Sequence, residues 1–176
     1  APAVLSAGAQ GDRAVSGVPS IPLLPPLPRD HPDVRVARVA RFFEDLAPAD
    51  LDRLGEVYSA DAAFKDPFNE VRGLANIRRV FAHMYAELDG PRFVVTQAVA
   101  EGDVAFLTWT FHFRSPRLQP QDVVVRGATQ LAFDPHSGLV VLHRDYWDTG
   151  EELYARLPLL GAVMRWLRRR GSATAV

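Results

Sequence analysis

Two places in the sequence bring together residue types that could move a proton. In "AAFKDPFNEVRG", residues 62–73, Asp66 is set between an apolar run ending at Phe64 and the pair Pro67 and Phe68. A carboxylate in apolar surroundings is costly unless it is hydrogen-bonded or neutralised. Such a group can serve as a base, because desolvation raises its pKa toward neutrality. It can equally be a turn residue, because an aspartate before proline accepts backbone N–H bonds as a chain leaves a strand. The residues leave both readings open. The second place is "LVVLHRDYW", where His143 and Asp145 stand two positions apart. On a strand they share a face, about 7 Å apart along the chain. A carboxylate beside an imidazole holds its tautomer and raises its basicity. The competing reading is a buried polar cluster satisfied by Tyr58, Thr129 or water.

Other chemistries are not supported. The chain has no cysteine, which excludes disulfides, thiolate metal sites and cysteine nucleophiles. His83, His112, His136 and His143 show no H-x-H or H-x-x-x-H spacing, and there is no glycine-rich phosphate loop, so neither a metal nor a cofactor is expected. A net charge of −1 and a pI near 6.6 supply no basic field, and no nucleic-acid partner is expected. No apolar run reaches transmembrane length and no signal-peptide pattern opens the sequence. The expectation is a soluble, cytoplasmic protein without membrane contact.

The elements that must position these residues follow from periodicity. Residues 1–32 are rich in proline and alanine with no sustained period, and read as a flexible tail; the alternative is that "IPLLPPLP" packs on the domain as a strap. A domain then runs over 33–150. Val36, Val39, Ala40 and Phe43 fall at helical spacing. "DLDRLGEVY" predicts a second helix, "AAFKDPF" a short extended piece, and Ile77, Val80, Phe81, Met84 and Leu88 one face of a third helix. Gly90-Pro91 ends it. "RFVVTQAVA", "DVAFLTWTFHF", "DVVVRGATQLAF" and "LVVLHRDYW" predict four strands in succession, separated by turn signals. Helices followed by an antiparallel sheet make an α+β domain. Alternation puts Ala105, Leu107, Trp109, Phe111 and Phe113 on the inner face with Val123, Val125, Gly127, Thr129, Leu131 and Phe133. Residues 151–176 read as a basic amphipathic helix and tail, with arginines at the end that favours cations.

This order, with "Y-x-x-D-A-x-F-x-D-P-F" from Tyr58 to Phe68 as its most specific piece, resembles the nuclear transport factor 2-like superfamily over about residues 35–150. The SnoaL-like and ketosteroid isomerase-like groups are the most similar. The resemblance implies a cone: a curved antiparallel sheet wrapped on three N-terminal helices around an apolar pocket, here with an extra C-terminal helix. That cone serves isomerases, cyclases, hydrolases and non-catalytic proteins, so the fold alone does not name a reaction. By motif match Asp66 stands where ketosteroid isomerases hold their base. Their oxyanion donors, a tyrosine and a protonated aspartic acid, are replaced by Phe42 and Thr129, and loss of one such donor typically costs about 10²–10³ in rate. Steroid isomerisation is therefore disfavoured. The second aspartate of the epoxide hydrolases matches Asp145, but their arginine and first aspartate would fall near Gly127 and Thr129. SnoaL-like cyclases need one aspartate as acid and base, which Asp66 or Asp145 could supply.

The expected pocket is lined by Phe42, Tyr58, Phe81, Leu107, Trp109, Thr129, Leu131 and Trp147, with Asp66, Asp145 and His143 as candidate catalytic groups. Its ligand would be a small apolar or weakly polar organic molecule. The protein would then be either a cofactor-independent isomerase, cyclase or hydrolase using an aspartate base, or a non-catalytic binding or dimerisation module. The resemblance also implies a homodimer formed through the outer face of the sheet, where Thr108, Thr110, Arg126 and Gln130 lie.

Overall fold

A computed structural model describes residues 31–116, 118, 121–154, 157, 161–164 and 166. Of the tail expected over residues 1–32, residues 1–30 lie outside the described residues, as does most of the C-terminal segment. Helix α1, Val34–Asp45, begins at Asp33, whose carboxylate accepts a hydrogen bond from the Arg35 backbone N–H. That is the ordinary way to satisfy an orphan donor at a helix start. Its apolar stripe buries Val36, Val39, Ala40 and Phe43.

The segment expected to be a second α-helix is instead a 3₁₀ helix, Pro48–Glu56. Pro48 opens it, Asp50 accepts from the Ala47 backbone N–H, and Arg53 bridges Asp50 and Glu56 on the solvent side. Its apolar residues Leu51 and Leu54 are three apart, which matches a turn of three residues and buries both. Helix α2, Leu74–Glu87, presents Ile77 and Phe81 to the core.

The sheet has six strands rather than four: β1 Tyr58–Lys65, β2 Glu70–Arg72, β3 Asp89–Glu101, β4 Val104–Arg114, β5 Asp122–Phe133 and β6 Val140–Tyr146. Their order is β2-β1-β6-β5-β4-β3. Four of the five pairings are antiparallel; β1 lies parallel to β6. The pairing of β1 with β6 shifts register between Tyr58 and Ala63, and the extended piece expected at 62–68 is the end of this strand and the turn that follows it. The burial of β1 falls on Tyr58, Ala62 and Phe64, which face the helices.

The main core fills the space between the helices and the inner face of the sheet, from Val36, Val39 and Phe43 through Phe81 to Leu107, Leu131 and Val140. A second cluster, Trp109, Phe113, Leu118, Val123 and Val125, packs at the far end of β4 and β5, with Trp147 and Leu153 against it. After β6 the chain makes one helical turn, α3 Thr149–Glu152, capped by Asp148, and residues 161–164 are helical again. No helix among the described residues is long and apolar enough to cross a membrane.

Candidate functional site

Six elements contribute to one narrow cleft, with a cavity volume of about 30 Å³, between the helices and the sheet. Val39 and Phe43 come from α1, Phe81 from α2, Phe93 and Val95 from β3, Leu107 and Trp109 from β4, Thr129 and Leu131 from β5, and His143 and Asp145 from β6. The walls are apolar except along one row, where β5 and β6 set Thr129 opposite Asp145 and Leu131 opposite His143. Polar residues two apart on adjacent strands thus converge on a single spot.

At that spot the side chains form a continuous hydrogen-bonded array. The Tyr58 hydroxyl lies 2.7 Å from His143 Nδ1, and His143 Nε2 lies 2.9 Å from Asp145 Oδ1. Trp109 Nε1 donates to Thr129 Oγ1 at 2.8 Å, and the Thr129 hydroxyl donates in turn to Asp145 Oδ1. Among the described residues Asp145 Oδ2 accepts no hydrogen bond from the protein, and the Asp145 side chain retains 16% of its exposure. Asp145 lines the inner cleft and also an outer groove formed with Lys65, Asp66, Arg144 and Trp147. Burial, and secondarily the charge of Asp145, push the Tyr58 phenol well above its ordinary pKa, so it keeps its proton. The position of Trp109 depends on Gly127, its cross-strand partner: a Cβ at Gly127 would lie 2.3 Å from the indole. Only glycine lets the ring lie against the β5 backbone and reach Thr129.

The two carboxylates expected to do chemistry have different settings. Asp66 sits in the turn between β1 and β2, where Oδ1 accepts from the backbone N–H of Phe68 at 2.7 Å and of Asn69 at 2.6 Å. The Asn69 side-chain amide reaches both oxygens, at 3.1 and 2.9 Å. This is an Asx-type turn, and Asp66 does not line the inner cleft.

Of the expected lining, Phe81, Leu107, Trp109, Thr129 and Leu131 border the cleft together with His143 and Asp145. Three residues do not. Phe42 points into an outer groove with Arg38, Arg41 and Asp45, and its neighbour Phe43 faces the cleft instead. Tyr58 is 1% exposed and stands behind His143. Trp147 packs edge-on against Phe68, 5.5 Å between centroids, beside the outer groove. Missed in the sequence were Val39, Phe43, Phe93 and Val95. The helical stripe already contained the first two. A bulge between Val95 and Gln97 interrupts the alternation that would have separated the faces of β3. Among the described residues no group of three His, Asp or Glu side chains converges to hold a metal ion.

A family model for the SnoaL-like domain matches residues 39–143. The chain belongs to that family. No curated protein matches the SnoaL-like chain described here. Solved structures similar to it share the cone at low identity. One is a protein with the ketosteroid isomerase-like fold from Catenulispora acidiphila, in complex with trimethylamine (20% identity, TM-score 0.59, covering 70% of this chain and 93% of that one). Another is an LEH-like epoxide hydrolase from M. tuberculosis (18%, 0.55, 76% and 93%). A third is TerC, co-crystallised with polyporic acid (17%, 0.56, 66% and 90%). At these identities the likeness establishes the fold.

Proposed function

We propose that this SnoaL-like protein binds a small organic molecule in its inner cleft and transfers a proton to or from it, without a cofactor, using Asp145 as the base. One observation carries the reading: Asp145, which borders the largely apolar inner cleft, has one oxygen anchored twice and the other without a hydrogen-bond partner among the described residues. A base needs an accessible lone pair and a fixed orientation, and this arrangement supplies both. The small ligands of the Catenulispora protein and of TerC support small-molecule binding by this fold. The wall carries Phe43, Phe81, Phe93 and Trp109, which suits a largely apolar, flat ligand. Isomerase and cyclase chemistry both begin with such a transfer at carbon, and the choice between them belongs to the ligand. Asp66 stays outside this mechanism, because its lone pairs serve the turn.

The second reading is a non-catalytic module that dimerises through the sheet. Val99, Val104, Phe106 and Tyr146 are exposed on the sheet, and Thr108 and Thr96 bond across its strands. A homodimer through this face is compatible with either reading.

The test is to identify compounds released by denaturing the purified protein, using mass spectrometry, and to incubate each with protein in D₂O. The expected result is protein-dependent exchange of a carbon-bound hydrogen, lost in Asp145→Asn. Binding without exchange would leave the module, and exchange that survives in Asp145→Asn would remove Asp145 as the base.

A further inference from the structure

Tyr58 is fully enclosed, and its hydroxyl has one hydrogen-bond partner among the described residues, His143 Nδ1. Two proton arrangements fit that distance. If Nδ1 carries a proton, the imidazole donates to the phenol oxygen, and the phenol hydrogen of this buried tyrosine, packed edge-on to Phe43, is left without an acceptor among the described residues. Buried donors are rarely left in that state. If the phenol donates to Nδ1, the ring proton sits on Nε2 and goes to Asp145 Oδ1, and every hydrogen has an acceptor. The same accounting fixes Thr129. Trp109 Nε1 is only a donor, so Thr129 Oγ1 accepts there and its own hydrogen goes to Asp145 Oδ1.

We infer that Tyr58 is a positioning residue that holds His143 as its Nε2–H tautomer and thereby divides the two oxygens of Asp145, Oδ1 for anchoring and Oδ2 for the ligand. This rests on the reading of Asp145 as the working group of the cleft. The phenol's retained proton supports it, since a tyrosine that ionised could not donate. The groups facing the imidazole are Phe43 from α1, Tyr58 and Phe64 from β1, Leu131 from β5 and Asp145 from its own strand; of these Tyr58 and Asp145 can exchange protons. The array resembles a hydrolytic triad with its direction reversed: the imidazole serves the carboxylate and does not meet the ligand as base.

Nitrogen-15 NMR of the uniformly labelled protein at neutral pH tests the inference through the long-range ring correlations of His143. Nδ1 at the unprotonated shift and Nε2 at the protonated shift are expected. An Nδ1–H tautomer, or a doubly protonated ring, overturns it, and this measurement needs no variant. In Tyr58→Phe the single pattern should give way to a mixture of both tautomers. An unchanged pattern in a folded Tyr58→Phe would mean that Asp145 alone fixes the ring, which also overturns the role of Tyr58. The readout is independent of ligand and turnover. Absence of proton exchange therefore sinks the catalytic reading and the use of Oδ2 while leaving the tautomer standing, and a wrong tautomer sinks this inference while leaving the catalytic reading.

Discussion

Asp66 and Asp145 border the same outer groove, one at each side, yet their lone pairs are used in opposite ways. Asp66 accepts four hydrogen bonds from the two residues that follow Pro67, all within its own turn. Asp145, which borders the inner cleft, takes its two anchors from different strands on one oxygen, and the other has no partner among the described residues. A carboxylate saturated by local backbone donors is already solvated by the protein, and taking up a proton would break those bonds. A carboxylate held from one side only keeps its orientation while the other side remains available. The sequence leaves Asp66 open between base and turn residue, because an Asp-Pro motif fixes a backbone turn as readily as it marks a base.

The sharpest way to break this comparison is the pair of isosteric substitutions. Asp145→Asn should lower ligand proton exchange about 10²–10⁴-fold, the usual weight of a general base, whereas Asp66→Asn should leave the rate within a few-fold. Equal losses in the two variants, measured on folded protein in D₂O, would restore Asp66 to the mechanism. The next effect concerns the wall that orients Asp145. Trp109 is 8% exposed and bonds Thr129, so Trp109→Ala should cost about 3–5 kcal/mol in denaturant melts. Gly127→Ala should cost about 1–3 kcal/mol, since the new Cβ lands on the indole and the neighbours must shift. If Trp109→Ala costs less than about 1 kcal/mol, the inner row is not packed as described.

What could be read without coordinates follows the same division between regular and irregular backbone. In β4 and β5 the two-residue period is unbroken, and Ala105, Leu107, Trp109, Val123, Val125, Thr129 and Leu131 are buried on the expected side. Thr129 was recognised as a polar group on that face, and its bond to Asp145 explains why it is tolerated there. In β1 the buried Tyr58, Ala62 and Phe64 share one parity but Ala60 between them is exposed, and the strand pairs parallel with β6 across a long sequence separation, which no local pattern encodes. The 3₁₀ segment shares its apolar spacing with an α-helix over so short a span that periodicity cannot separate them. Phe42 shows the limit of counting along a family resemblance. The helical stripe selects Phe43, and a slip of one residue turns a helix position by about 100°, out of the cleft.

A smaller effect sharpens the structural half of the comparison. Asp66→Ala removes the acceptor for two backbone N–H groups in a partly buried turn, so the fold should weaken by about 1–3 kcal/mol, while Asp66→Asn, which keeps one acceptor oxygen, should lose less than half of that. Thermal melts of the two variants side by side provide the measurement. Equal losses would mean that the negative charge, rather than the hydrogen-bond geometry, holds the turn.

The smallest expected effect comes from a third carboxylate, Asp33, which like Asp66 is saturated by local donors but has a charged one among them. Its oxygens take the Arg35 backbone N–H at 2.9 Å and the Arg35 guanidinium at 2.7 Å, and Arg35 continues to Asp103 and over the Phe133 ring. The Arg35 side-chain hydrogen bonds come first among the causes that lower the Asp33 pKa from 3.8 to about 2. A folded-state pKa below the unfolded one stabilises the native state at every pH above the unfolded value, and that contribution disappears as pH falls toward the folded value. The loss should therefore occur between about pH 4 and pH 2. A full conversion of the shift gives roughly 2 kcal/mol, and solvent screening at a side chain that is 20% exposed trims it to about 1 kcal/mol. Urea unfolding of wild type and Asp33→Asn at pH 6 and again at pH 2.5 should show a gap of that size at the higher pH, narrowing at the lower. A gap that widens on acidification would reverse the sign of the linkage and show that the charge pair with Arg35 opposes the cap.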